Sequence, residues 1–201
     1  MNIVQTCNYK FPATGSAGAE RIIERLCRGL TKLGHKVSLL GKPGSITDTG
    51  AHIVENIPKN TDIVHHHGFE LENQYKYNSW GIPWVSTIHG GGMEHDPKFL
   101  NGVKGHPNVL CVSKFVSDRL QCPAFVHNCA SEEEFIYKTE KQNYFLSMAS
   151  FGWGFQKGLD VFIRLARKIK KFDFYIAGSG NLEFSNHISK LCSTPYHSFS
   201  L

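Results

Sequence analysis

The chain has 201 residues, room for one domain, or for one domain and part of another. Hydrophobic residues make up 41% and charged residues 19%, which excludes a disordered or collagen-like chain. The excess of 22 Lys and Arg over 17 Asp and Glu leaves a net charge of +5, suited to anionic ligands such as a nucleotide diphosphate, an acidic membrane surface or nucleic acid. No run of about 18 apolar residues predicts a membrane span. The start Met1-Asn2-Ile3-Val4-Gln5-Thr6 lacks the charged-then-apolar pattern of a signal peptide, so a cytoplasmic protein is expected.

In chain order, short β-branched runs alternate with helical patterns, the rhythm of an α/β fold with a parallel sheet. Met1 to Cys7 reads as a strand. A loop from Asn8 to Gly18 leads to a helix over Ala19 to Leu33, with Ile22, Ile23, Leu26, Leu30 and Leu33 as its apolar stripe. Gly34 stands where a helix end wants a left-handed residue, and His35 to Leu40 is the next strand. Further strands are predicted over Asp62 to His67, Trp84 to His89, Val109 to Val112 and Phe125 to His127. Ser113 is placed to cap a short helix ending at Leu120. Ligands of open α/β sheets bind beyond the carboxyl ends of the strands, which puts His67, His89 and the Gly15 loop at one crevice.

Polar stretches over residues 131–142 mark a boundary, giving two segments, 1–138 and 143–201. The second reads as strand Tyr144 to Ala149, helix Leu159 to Lys170 and strand Phe172 to Ala177, followed by Gly178-Ser179-Gly180. Two strands cannot bury both faces of a parallel sheet, so residues 143–201 are expected to be loosely held or to pair with another chain.

Several groups carry chemistry, each with a plainer alternative. Gly15, Ser16 and Gly18 let a backbone and a helix N-terminus approach a diphosphate; the alternative is an ordinary tight turn, since neither a dinucleotide fingerprint nor a Walker A motif is present. His89 ends an apolar strand before three glycines and suits a substrate hydroxyl or phosphate; the alternative is a satisfied strand-end histidine. Lys157, at a loop–helix junction, suits a phosphate, or is simply solvated. Gly178 and Gly180 pass close to a nucleotide or merely turn the chain. His65 and His67 share one strand face, and His95, Asp96 and His106 extend a conceivable metal set, but no metal-ligand spacing is present and no metal is expected. The six cysteines form no C-x-x-C pair and read as free, buried thiols. Arg164, Lys168 and Lys171 lie on one helix face, either solvated or meeting an anionic membrane.

In order, these pieces resemble a family 4 (group 1) glycosyltransferase of the two-Rossmann GT-B fold. The matching segments are Gly18-Ala19-Glu20-Arg21-Ile22 with Gly34-His35-Lys36-Val37, Asp62 to Gly68, Ser86-Thr87-Ile88-His89-Gly90 and Cys111-Val112-Ser113. They continue with Phe125-Val126-His127-Asn128, Lys157-Gly158-Leu159-Asp160 and Ile176 to Gly180. The resemblance implies an acceptor-side domain over 1–138 and an incomplete donor-binding domain over 143–201. It implies a sugar moved from a nucleotide-sugar donor to a glycan or lipid-linked acceptor with retention, as in surface polysaccharide or lipopolysaccharide assembly. No cofactor or metal is implied. The enzyme would work in the cytoplasm or at the inner face of the membrane. Gly15, Ser16 and Gly18 resemble the loop on the donor diphosphate, His89 the histidine near the donor sugar and its phosphate, Lys157 the diphosphate lysine, and Gly178 and Gly180 the strand end near the nucleotide.

The chain departs from that family in three places. Asn128-Cys129 stands for the usual Asn-Gly, Ala149-Ser150 for the usual Gly-Arg, and no Glu-x7-Glu follows Gly180. Family members run to about 350–400 residues, as two ordinary domains would. The expectation is therefore a C-terminally truncated transferase, with a non-catalytic remnant or binding module as the alternative. Nucleic acid is not an expected partner, for no basic–aromatic stripe is present.

Overall fold

The computed structural model describes residues 1–14, 17–68, 76–90, 102–130, 134, 139–140, 143–148, 157–178 and 198–199. The chain divides into two compact units, Met1–Phe135 and Ile136–Leu201.

In the first unit the described strands are β1 (Asn2–Cys7), β2 (Lys36–Leu40), β3 (His52–Ile53), β4 (Ile63–His67), β5 (Trp84–Ile88), β6 (Val109–Cys111) and β7 (Ala124–Phe125), with helices α1 (Gly18–Lys32) and α2 (Lys114–Leu120). They form one sheet in the order β3-β2-β1-β4-β5-β6-β7. Every pairing is parallel. This is the Rossmann strand order with one more strand at its end, and the order reverses between β1 and β4. The α/β, Rossmann-like class expected from the sequence is the one observed.

Both sheet faces are covered, as a parallel sheet requires. On one face Ile23 and Cys27 of α1 pack with Cys7, Val37 and Leu39. On the other, Val4 and Val64 meet Tyr77 and Trp84, and Ile88 meets Val109, Cys111, Val116 and Leu120. Leu33, counted in the apolar stripe of α1, is the C-cap residue and is exposed; the buried positions are Ile22, Ile23 and Cys27. The chain leaves α1 through Gly34 at φ 84°, with its N–H donating to Thr31 O and the His35 N–H to Leu30 O. Ser113 caps α2 as expected, its hydroxyl accepting from the Val116 N–H at 3.3 Å. At the end of this unit, the Arg25 guanidinium of α1 holds the Glu134 carboxylate and the carbonyl of Cys129. That guanidinium keeps the Glu134 carboxyl below the usual carboxylate range.

The second unit contains β8 (Tyr144–Met148), α3 (Leu159–Lys168), β9 (Asp173–Ala177) and β10 (Ser198–Phe199), in a parallel sheet ordered β10-β9-β8. The strand β10 was not foreseen, nor was β3 in the first unit. Both have two residues, too short for any sequence period to register. The helix α3 stops two residues earlier than expected, where Ile169 turns extended. Among the described cysteines, Cys7, Cys27, Cys111 and Cys122 are buried and in no disulfide, whereas Cys129 is exposed, against the expectation of burial. Cys192 lies outside the described residues.

Candidate functional site

The site is built from side chains that share one face of the sheet beside the β1–β4 reversal. Residues alternate faces along a strand, so His65 and His67 of β4 lie on the face of Gln5 and Cys7, their register partners in β1. Thr87 is the register partner of His67 in β5, and His89 follows two residues later with the same parity. Side chains from three adjacent strands thus converge where the strands end.

They form a continuous hydrogen-bonded chain. Gln5 Oε1 lies 2.6 Å from His67 Nε2, and His67 Nδ1 lies 2.9 Å from His89 Nε2. The two rings stack with centroids 5.1 Å apart. His65 sits beside them, its ring 4.1 Å from that of His67 and its Nε2 2.7 Å from Thr87 Oγ1. Gln5 and His67 are each 1% exposed. The Gln5 Nε2 and His89 Nδ1 atoms are buried and have no hydrogen-bond partner among the described residues.

Burial decides the charge of the cluster. Desolvation, reinforced by neighbouring imidazoles, lowers the His65 pKa to about 4 and holds His67 well below the usual histidine range. Desolvation also lowers His89. At neutral pH three neutral rings therefore sit together. A neutral imidazole donates at one nitrogen and accepts at the other, so the group transmits hydrogen-bond direction rather than holding a charge.

The other expected site residues fall as follows. His89 is half-buried at the end of β5. Gly18 is exposed and opens α1, whose N-cap residue Ala17 gives no side-chain cap. A Cβ at Gly18 would meet nothing within 4 Å, and its φ is not left-handed. Lys157 is exposed and precedes Gly158, the left-handed N-cap residue of α3. Gly178 is half-buried directly after β9. Gly15, Ser16 and Gly180 lie outside the described residues, as do His95 and Asp96. Among the described residues, no group of three or more His, Cys, Asp or Glu is arranged to hold a metal ion. Of the imidazole nitrogens, His65 Nε2, both nitrogens of His67 and His89 Nε2 face one another, Gln5 or Thr87. Arg164 of α3 pairs with Asp160 one turn back, at the surface.

Sequence reasoning placed His67 and His89 at one crevice but missed Gln5. The signal was present: a primary amide in the middle of Ile3-Val4-Gln5-Thr6-Cys7, a strand buried on both faces. Such a group needs a partner.

No protein-family model matches the chain, and no curated protein matches it in sequence. Solved structures do match in fold. A sucrose-phosphate synthase from Thermosynechococcus elongatus superposes with a TM-score of 0.75 at 11% identity, over 99% of this chain and 70% of that one. A glycosyltransferase from Rickettsia africae matches with a TM-score of 0.61 at 19% identity, over 98% and 67%. AviGT4, a glycosyltransferase involved in avilamycin A biosynthesis, matches with a TM-score of 0.62 at 15% identity, over 98% and 63%. The chain thus spans about two thirds of the length of these structures. At such identities the likeness establishes the fold, one that glycosyltransferases share. No helix among the described residues is long and apolar enough to cross a membrane.

Proposed function

We propose that this chain belongs to a retaining glycosyltransferase that takes a sugar from a nucleotide-sugar donor and passes it to a glycan or lipid-linked acceptor. The observation that carries this reading is the buried imidazole cluster of His65, His67 and His89 at the carboxyl ends of β4 and β5, beside the reversal of a Rossmann-ordered sheet. Ligands of such sheets bind at that position. The fold shared with glycosyltransferases supports the same class.

In this reading each unit supplies its own contacts. The N-terminal amides of α1, approached over Gly18, suit the donor diphosphate. Lys157 in the second unit offsets the charge of the departing nucleoside diphosphate, and that charge grows as the glycosidic bond breaks. Gly178 and Gly180 leave room beside the nucleotide. His89 orients the sugar. No metal or organic cofactor enters, and the donor is a substrate. A family 4 assignment, surface polysaccharide or lipopolysaccharide assembly, peripheral membrane contact and a place at the inner membrane face belong to this proposal.

A second reading is a module that binds donor without transferring sugar. It is favoured by Ala149-Ser150, which replaces the Gly-Arg that would bring a diphosphate-binding arginine. Titration calorimetry with UDP and GDP, followed by transfer assays from radiolabelled UDP- and GDP-sugars, separates the two. Transfer that is lost in His89→Ala supports the enzyme. Nucleotide binding without transfer supports the module. Absence of both overturns the proposal.

A further inference from the structure

The chain Gln5–His67–His89 has a direction, and the direction can be read from its end. Gln5 Oε1 is an acceptor, so the nitrogen facing it at 2.6 Å, His67 Nε2, carries the proton. The His67 ring is neutral in its buried setting, so its Nδ1 is bare. A bare Nδ1 at 2.9 Å from His89 Nε2 requires that nitrogen to donate. His89 is then the Nε2–H tautomer, and its Nδ1 is a bare acceptor that is buried and has no partner among the described residues. The wrong tautomer would set two lone pairs face to face at hydrogen-bond distance.

We propose that Gln5 and His67 are positioning residues that fix the tautomer of His89, so that His89 presents an unprotonated Nδ1 to a ligand. The chemistry of the ligand group follows. A bare ring nitrogen takes a hydrogen bond from a hydroxyl or an amide N–H, and gives nothing to a phosphate oxygen, which only accepts. Burying an acceptor without a donor costs about 1–3 kcal/mol, recovered when a ligand hydroxyl is supplied. On the transferase reading, which this part of the inference rests on, His89 holds a hydroxyl of the sugar and leaves the diphosphate to other groups. The tautomer assignment stands on the geometry alone.

The test needs no ligand. The full chain, labelled with 15N-histidine, is examined at pH 7.5 by long-range 1H–15N correlation, which distinguishes protonated from bare ring nitrogens. His67 and His89 are both expected with the proton on Nε2, His89 by about tenfold or more. In Gln5→Leu the acceptor is gone and His67 is released; the His89 tautomer ratio should fall toward that of a free side chain, although position 5 acts on it only through His67. A mere packing role for Gln5 would not change the protonated nitrogen of His89. Should Gln5→Leu fail to fold, His67→Phe removes the acceptor for His89 Nε2 directly and makes the same prediction. The opposite orientation of the Gln5 amide would run every proton the other way. A wild-type spectrum with the proton on His89 Nδ1, or an unchanged His89 ratio in the folded variants, overturns the proposal. Loss of the transferase reading alone would leave the spectrum as expected and remove only the sugar hydroxyl.

Discussion

The two parallel sheets begin alike in sequence and end differently in burial. In β1 every residue from Ile3 to Cys7 is buried. In β8 Phe145 is 42%, Leu146 47% and Met148 65% exposed, although Tyr144-Phe145-Leu146-Ser147-Met148 is as strand-like as any run in the chain. The difference is layering. Among the described residues the first sheet has seven strands with apolar clusters on both faces. The second has three described strands, with Leu159 and Ile163 of α3 buried and an aromatic group of Phe145, Phe162 and Phe174. Strand propensity makes a strand, but a covered face makes it contribute stability.

The widest separation is expected from truncating one leucine in each sheet. Leu39 in β2 is fully buried against Ile23 and Cys27. Leu39→Ala should cost about 2–5 kcal/mol, the transfer term plus a cavity. Leu146→Ala in β8 should cost under about 1 kcal/mol, because half of that side chain already meets water. Urea midpoints of the two variants measure this. Equal losses would mean that the second sheet is covered as fully as the first. Hydrogen exchange gives an independent reading: β1 and β4 amides should exchange far more slowly than those of β8.

The next effect belongs to the first sheet through its imidazoles. His65 has a folded pKa of about 4 against an ordinary 6.5, so between those values the unfolded chain binds a proton that the folded chain refuses. Stability is therefore full above about pH 6.5 and falls as pH drops toward 4. His65 alone accounts for about 3 kcal/mol of the loss, and His67 and His89 shift in the same direction. Urea midpoints at pH 7.5 and 5 should show the drop in wild type, and a shallower one in His65→Asn. A flat profile would place the cluster in water.

How much of this was legible depends on the length over which a residue pattern runs. The Gly34 exit and the Ser113 cap each involve a local signal of a few residues, and each was found, whereas of the α1 stripe only Ile22 and Ile23 are buried, with Cys27 in place of Leu33. The parity of His65 and His67 also follows from the strand period. Pairing across strands leaves no local trace. Gln5 and His67 are 62 positions apart, and only the β1–β4 register brings them together. The same holds for the Arg25–Glu134 contact across 109 positions. The two-residue strands β3 and β10 went unseen because two residues carry no period.

A smaller loss is expected at Gly41, just past β2. A Cβ there would lie 2.9 Å from the Tyr9 carbonyl oxygen and 3.0 Å from the Phe11 ring, and Phe11 is itself fully buried. Gly41→Ala should cost about 1–3 kcal/mol by overpacking. The loop over residues 8–14 that leads toward α1 would shift with it, so thermal unfolding and nucleotide affinity should both register the change.

Gly18 carries the smallest stability effect and the clearest separation of roles. Nothing among the described residues requires glycine there: its φ is not left-handed, and a Cβ would meet none of them within 4 Å. Glycine in the middle of a helix is about 0.5–1 kcal/mol worse than alanine, and at the first helical residue, where Gly18 stands, the difference is smaller. Gly18→Ala should therefore leave the melting temperature unchanged or raise it slightly. If the open space over α1 receives a diphosphate, the same methyl group stands in its way, and affinity for UDP or GDP should fall while stability does not. Calorimetric titration beside a melting curve reads both. A variant that is more stable and binds as well as wild type would make Gly18 an ordinary turn residue and leave the imidazole cluster as the chief support for the site. A variant that is more stable but binds less tightly would mean that the chain keeps a helix-weakening residue for the sake of its ligand, as expected where function and stability compete for one position.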